Sequence, residues 1–325
     1  MKIALDAMGS DAAPTSEVEG SIAALEREGD LEIVLIGDKK ALGPFRKDIE
    51  KAKRISIVES RQVIGMHESP SEVLRTKTDS SIAEGMVLLK QSKADAFVSA
   101  GNTGAVAAFS IFTLGRIKGI ERPALGAIFP TPKGQVLTLD VGANVDPKPI
   151  HLVRYAVMGR IMVERVYHVN EPRVGLLNVG HEEGKGDKLS QEAFNLLSSA
   201  PIKFVGNIEG SDVFRDVADV IVTDGFTGNI MLKFGEGMGA AVLNILKETA
   251  KRYRWRSWFS KKVFKDFIEG LNYEKAGGAI LLGVDKPVIV SHGRSTPRAI
   301  KNALRLASFA VREGVVDAIK NELGN

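Results

Sequence analysis

Short apolar runs alternate with longer helical patterns along this chain, and that alternation limits the folds open to it. Residues 3–7, 33–37, 55–59, 96–100, 136–140, 174–179, 202–205, 220–223 and 288–291 are nearly continuous in Val, Ile and Leu. Such runs suit strands covered on both faces; half-exposed strands would alternate apolar with polar. Helical periodicity fills the gaps at 14–28, 80–91, 103–115, 151–166, 189–198, 229–251 and 296–321. Pro14 and Pro297 fall in first helical turns, where a missing N–H costs nothing. The expected fold is α/β, a mainly parallel sheet with helices on both faces. Residues 124–140 hold two strand-like runs joined by Pro130-Thr131-Pro132-Lys133-Gly134, a hairpin that makes the sheet mixed. No linker or repeat divides the chain, so one catalytic domain is expected over 1–325, with room for two lobes.

Composition narrows the chemistry. There is no cysteine in 325 residues, which excludes a disulfide framework, a thiolate metal site and an acyl-cysteine. Asp6 inside the first apolar run is wrong for a signal peptide, and no uncharged apolar run reaches the ~18 residues of a spanning helix. A cytoplasmic protein is expected. The net charge of +4 is too small to argue for nucleic acid. Neither a Gly-x-Ser-x-Gly elbow nor a His-Glu-x-x-His zinc pair occurs.

Polar and glycine residues gather where the apolar runs end, which is where open parallel sheets bind ligands. The endings are Asp6-Ala7-Met8-Gly9-Ser10, Ser99-Ala100-Gly101-Asn102-Thr103-Gly104, Asp140-Val141-Gly142-Ala143-Asn144, Asn178 to Gly186 with His181 and Lys185, Gly206 to Gly210, Asp224-Gly225-Phe226-Thr227-Gly228-Asn229 and His292-Gly293-Arg294-Ser295. Glycine lets backbone N–H groups approach an anion, and a helix start adds free donors. Any one ending is also an ordinary turn; the run at 101–104 stands out because it opens a helix directly after a buried strand. Neither the Walker-type loop nor Gly-x-Gly-x-x-Gly is present, so the phosphate is not a standard nucleotide's. Gly235, Gly237 and Gly239 lie inside a helical pattern and read as close packing. His67, His151 and His168 read as structural or exposed. His181 and His292 suit acid–base and structural roles equally, and Asp140 and Asp224 read equally as caps or catalytic groups.

These endings, in this order, resemble the bacterial phosphate acyltransferase family that makes acyl phosphates for phospholipid synthesis. The matching runs also include Val174-Gly175-Leu176-Leu177-Asn178 and Gly277-Gly278-Ala279 with Gly283. Ser10, Ile280 and Arg294 depart from the family's usual Gly, Pro and small residue; none removes a polar strand-end group. The resemblance implies transfer of a long acyl chain from acyl carrier protein to inorganic phosphate, without redox cofactor or required metal. It also implies a homodimer, a fold similar to phosphotransacetylases and isocitrate-type dehydrogenases, and a product taken up by a membrane acyltransferase.

On that premise, phosphate is expected at the 101–104 helix start, on Gly101, Asn102, Thr103 and Gly104, helped by Lys185 and Asn229, with Asp6 and Gly9 alongside. Asn144, Asn229 or amides near Gly225 and Gly228 would hold the oxyanion. His181 or His292 would protonate the leaving thiolate. Direct attack without an acyl-enzyme is expected, and all these groups should meet in one crevice.

Residues 251–265 carry seven basic residues and no acid, with both tryptophans. Two amphipathic arcs imply a protruding helical hairpin at 247–272, with Trp255, Trp258, Phe259 and Phe264 as apolar anchors ringed by cations. That suits contact with the inner face of an anionic membrane. A dimer interface, a packed hairpin or docking of an acidic carrier protein would use the same residues; single-stranded nucleic acid fits less well. A dehydrogenase and a non-catalytic lipid- or carrier-binding scaffold are the competing functions.

Overall fold

The computed structural model describes residues 1–132, 134–252 and 277–324. The order is β1 (Lys2–Asp6), α1 (Thr15–Leu25), β2 (Glu32–Gly37), α2 (Lys39–Leu42), α3 (Arg46–Ala52), β3 (Ile55–Glu59), α4 (Pro70–Thr76), α5 (Ser81–Lys90), β4 (Ala96–Ser99) and α6 (Thr103–Thr113). Then follow β5 (Ala124–Thr131), β6 (Gly134–Leu139), α7 (Pro149–Tyr167), β7 (Arg173–Asn178), α8 (Lys188–Ser198), β8 (Lys203–Glu209), β9 (Val220–Val222) and α9 (Gly225–Arg252). The chain closes with β10 (Ala279–Leu282), β11 (Val288–Val290), α10 (Pro297–Arg312) and α11 (Val315–Leu323).

The described strands form one eleven-stranded sheet in the order β3-β2-β1-β4-β11-β10-β5-β6-β9-β7-β8. Two helical layers cover it, as the apolar runs require. One layer packs α1, α3, α7, α8, α10 and α11 on Ile3, Leu5, Leu35, Val98 and Leu137. The other packs α4, α5, α6 and part of α9 on Ala4, Ile36, Phe97, Leu125 and Ile221.

Strand direction decides where function can lie. β3, β2, β1, β4 and β11 are mutually parallel. β10 is antiparallel to both β11 and β5, and β5 is antiparallel to β6. β6, β9, β7 and β8 are again mutually parallel. Three reversals leave the second group running opposite to the first. The carboxyl ends of β1, β4 and β11 therefore lie at one edge, and those of β6, β9, β7 and β8 at the other.

The element expectations need correction: the short helices α2, α3 and α4 were not anticipated, and three further points matter more. β10 was not anticipated: its Ala-Ile-Leu-Leu run is only four residues between glycines. The helix expected at 296–321 is two helices, because Gly314 adopts a left-handed φ of 61° between them. The helix expected from 229 starts at Gly225, where Asp224 caps it.

Gly85 shows how tightly a helix lies on the sheet. A Cβ there would run into the ring of fully buried Phe97 on β4. Alanine gains up to about 1 kcal/mol in helix propensity, yet a rigid ring with no room to retreat outweighs that. We expect Gly85→Ala to destabilise the protein by roughly 1–2 kcal/mol in urea unfolding; an unchanged midpoint would refute the packing.

Candidate active site

A ligand crevice opens at a strand's carboxyl end where its following helix leaves to the opposite face from its neighbours' helices. That happens twice here. β4 sends α6 to one layer, while its neighbours β1 and β11 send α1 and α10 to the other. β9 sends α9 to the first layer, while β6 and β7 send α7 and α8 to the second.

At the β4 crevice the loops are fastened from below. Asp6 is buried and accepts from Met8 N at 3.0 Å and from Ser99 Oγ at 2.7 Å. Gly101 N donates to Ser99 Oγ at 3.0 Å, and a Cβ on Gly9 would press on Gly101 N at 2.6 Å. Asn102 caps α6 through Ala105 N at 3.0 Å and spends its amide on the carbonyls of Gly65, Met66 and Glu68. Its expected role as a phosphate donor is thereby corrected: the side chain is buried and fully committed. Thr103 is exposed at the helix start, next to Gly104, which packs against Pro70. His292 is exposed, and its Nδ1 accepts from Arg294 N at 3.0 Å, so it holds its own turn.

The β9 crevice is organised by two carboxylates. Asp140, fully buried, accepts from Leu125 N, Gly142 N, Ala143 N and Asn144 N at 2.7–3.1 Å. Burial pushes its carboxyl above the usual range, and these donors pull it back. Asn144 gives its amide to Pro123 O at 2.7 Å and Asp140 Oδ2 at 2.9 Å. Asp224 accepts from Phe226 N and Thr227 N, while Gly225 N reaches Asn144 O and Gly228 N reaches Asp224 O. A Cβ on Gly228 would overlap the Asp140 carbonyl, so only glycine lets α9 start this close.

Four expectations turn on these contacts. Asp140 and Asp224 are caps. The Asn144 amide and the backbone amides near Gly225 are consumed inside the protein, so they are not free oxyanion donors. What stays uncommitted is Asn229, half-buried against Gly142, with no side-chain hydrogen bond among the described residues. Lys185, on the loop after β7, is half-exposed and 3.9 Å from Glu182. His181 engages Asp212 Oδ2 through Nε2 at 2.7 Å, and its Nδ1 lies 3.5 Å from Glu209 Oε1 on an exposed ring. Four exposed apolar side chains follow the strand ends at this edge: Val145 (66% exposed), Val179 (79%), Phe226 (58%) and Ile230 (53%). Sequence reading passed over them, because single apolar residues in glycine-rich loops carry no periodicity.

The single crevice expected for Asn102, Asn144, Lys185 and Asn229 does not exist within one chain. Asn144, Lys185, Asn229, His181, Asp140 and Asp224 share the β9 edge; Asp6, Gly9, Gly101, Asn102, Thr103, Gly104 and His292 share the other. Five strand steps separate β4 from β9, on the order of 24 Å at about 4.8 Å per step. A phosphate beside a thioester spans only a few ångströms. Trp255, Trp258, Phe259 and Phe264, and most of the hairpin expected at 247–272, lie outside the described residues. No described helix is long and apolar enough to cross a membrane, and no described cluster of three His or acidic residues suits a metal.

Comparison with known proteins adds family information. The fatty acid synthesis protein family model matches residues 1–318. A phosphate acyltransferase of Dictyoglomus thermophilum is 46% identical over 318 residues, covering 96% of this chain and 94% of that one. One from Halothermothrix orenii is 43% identical, covering 99% and 98%. In fold, the chain is similar to a phosphotransacetylase from Streptococcus pyogenes, with TM-score 0.62, 17% identity and coverage of 96% and 94%. A branched-chain phosphotransacylase from Enterococcus faecalis aligns with TM-score 0.57 and 13% identity over 96% of this chain and 99% of that one.

One buried acid under the β4 crevice gives a pH test. Glu17 on α1 is fully buried and accepts from Ser10 N at 3.2 Å. Burial, with a smaller push from Asp6, raises its carboxyl from 4.5 to about 7 against the pull of Ser10. The folded state holds this proton more tightly than the unfolded chain. Its stabilising contribution is complete below about 4.5 and is lost as pH rises through about 7. Glu17→Gln should therefore gain on the wild type between about pH 5 and pH 8, by of order 3 kcal/mol in urea unfolding. A difference independent of pH would contradict the assignment.

Proposed function

The chain belongs to the phosphate acyltransferase family, and we propose that it moves a long-chain acyl group from an acyl carrier protein thioester to inorganic phosphate at the β9 crevice. The observation that carries this reading is that one edge joins an unclaimed amide, a lysine and four exposed apolar side chains. Phosphate needs a cation, the carbonyl needs a neutral donor, and an acyl chain needs apolar surface.

Lys185 supplies the charge for phosphate, and Asn229 Nδ2 supplies the hydrogen bond to the thioester oxygen. A phosphate oxygen attacks the carbonyl carbon, the oxygen takes up negative charge, and collapse expels the carrier thiolate. Holding both partners together removes much of the entropic barrier. The donor amide is worth most when the charge develops. Val145, Val179, Phe226 and Ile230 give the first carbons of the chain a dry wall. Without a cysteine or a serine elbow, attack is direct and no acyl-enzyme forms; a trapped acyl-protein would overturn that step.

Two associations complete the reading. Beyond the crevice, α9 keeps Phe234, Met238 and Ile245 exposed on the same stripe, an apolar face for a second copy of the chain. Phe234→Asp should then shift the protein to monomer in analytical ultracentrifugation; a monomeric wild type would remove the dimer. Peripheral contact with the inner face of an anionic membrane is supported by the cations and tryptophans of residues 251–265, which begin at the end of α9, and gives the acyl phosphate a short path to a membrane acyltransferase.

The decisive assay follows carrier protein release from palmitoyl carrier protein with and without phosphate, with nicotinamide reduction read in parallel. Phosphate-dependent release is expected. Release independent of phosphate, an absorbance change or binding without turnover would each overturn the reading, the last two in favour of a dehydrogenase or a scaffold. Lys185→Ala should raise the phosphate KM roughly tenfold or more, as for a lost charge-assisted contact. Asn229→Ala should lower kcat by about 100-fold to 1,000-fold, as for a lost oxyanion donor.

A further inference from the structure

The loop that carries Lys185 is tied down at four points. Asn178 Nδ2 donates to Lys185 O at 3.1 Å, and Asn207 Nδ2 to Glu182 O at 2.8 Å. Gln191 Nε2 reaches Gly184 O and Gly186 O at 3.0 and 3.1 Å. These three ties are neutral. The fourth pairs a titratable ring with a carboxylate: His181 Nε2 meets Asp212 Oδ2 at 2.7 Å, with Glu209 Oε1 3.5 Å from Nδ1. Asp212 takes the Nε2–H, and the nearby Glu209 carboxylate favours a proton on Nδ1 as well. Asp212 is itself buried and fixed, accepting from Glu209 N at 2.9 Å and Arg215 at 3.3 Å.

We propose that Asp212 is a positioning residue that, through His181, latches the Lys185 loop against the end of β8 and so sets the affinity for phosphate. The proposal rests on Lys185 being the phosphate ligand. The charged groups around His181 are Asp212, Glu209 and Glu182, with Arg215 behind Asp212 and Lys185 on the same loop. The Asp212 hydrogen bond, then the charges of Asp212, Glu209 and Glu182, hold the imidazole above its ordinary value. A raised folded-state value means the latch is complete below about pH 6.5 and opens as pH rises through that raised value. The neutral ties keep the loop folded; the titratable one alone makes its position depend on pH.

The test is a cycle of Asp212→Asn, Lys185→Ala and the double variant, with phosphate KM and kcat followed from mildly acidic to mildly alkaline pH. Asp212→Asn should raise the phosphate KM roughly fivefold, with its rise shifted to lower pH and kcat at saturating phosphate largely kept. Asp212→Glu should restore most of the affinity. On the Lys185→Ala background, Asp212→Asn should add nothing. NMR titration of the His181 ring should show its midpoint falling in Asp212→Asn. If Asp212→Asn fails to fold, His181→Gln replaces it; that variant should show a phosphate KM whose alkaline rise is gone. Equal effects on both backgrounds, or an unmoved pH profile, would overturn the latch. A silent Lys185→Ala reads differently: it removes the phosphate ligand and takes the latch with it.

Discussion

The β5–β6 ladder and the antiparallel strand β10 reverse strand direction in the middle of the sheet, and the position of every polar strand end follows from that. A purely parallel sheet would deliver all its glycine-rich turns to one edge. Here β10 enters between β11 and β5 against both, and β6 turns back on β5. The sheet becomes two parallel halves of opposite sense, each with its own switch point. Each half alone meets the topological condition for a ligand crevice, so the chemistry must be settled by which crevice still has donors to spare.

That accounting is governed by the protein's own carboxylates. Asp6, Asp140 and Asp224 lie at three strand ends, and each collects the amides that a bound anion would otherwise use. A buried carboxylate surrounded by N–H groups organises a tight loop but leaves that loop's donors unavailable to a ligand. The same glycines that let backbone approach an anion here let backbone approach a carboxylate. Gly9 lies against the Asp6 carboxylate and Gly101 N in this way, and Gly228 lies as closely on the backbone carbonyl of Asp140.

The strands were legible because burial on both faces writes long Val, Ile and Leu runs. β10 was not, since four apolar residues between glycines are equally a loop. The break between α10 and α11 hid in a continuous apolar stripe that one left-handed glycine interrupts. The hairpin was visible, and so was the mixed sheet. Its consequence for the edges was not: sequence periodicity records which residues are buried, not which way a strand runs once it joins its neighbours. Lys185 and Asn229 fall in polar strand ends that any reader would collect, but their freedom is a property of contacts. Asn102 and Asn144 have the same side chain in similar motifs and are wholly engaged.

Asn229 is therefore distinguished by what it does not do. Half-buried, its amide still reaches water, so the resting protein carries no desolvation penalty for it. The side chain lies beside Gly142 at the crevice wall. Interactions accelerate a reaction only when they strengthen toward the transition state. A donor already satisfied in the resting protein must break a hydrogen bond before it can serve a developing oxyanion. A donor that faces water need only release it. The arrangement around β9 follows that logic: the carboxylates satisfy the backbone and the neighbouring asparagine, the loop ties fix the lysine, and one amide stays unspent.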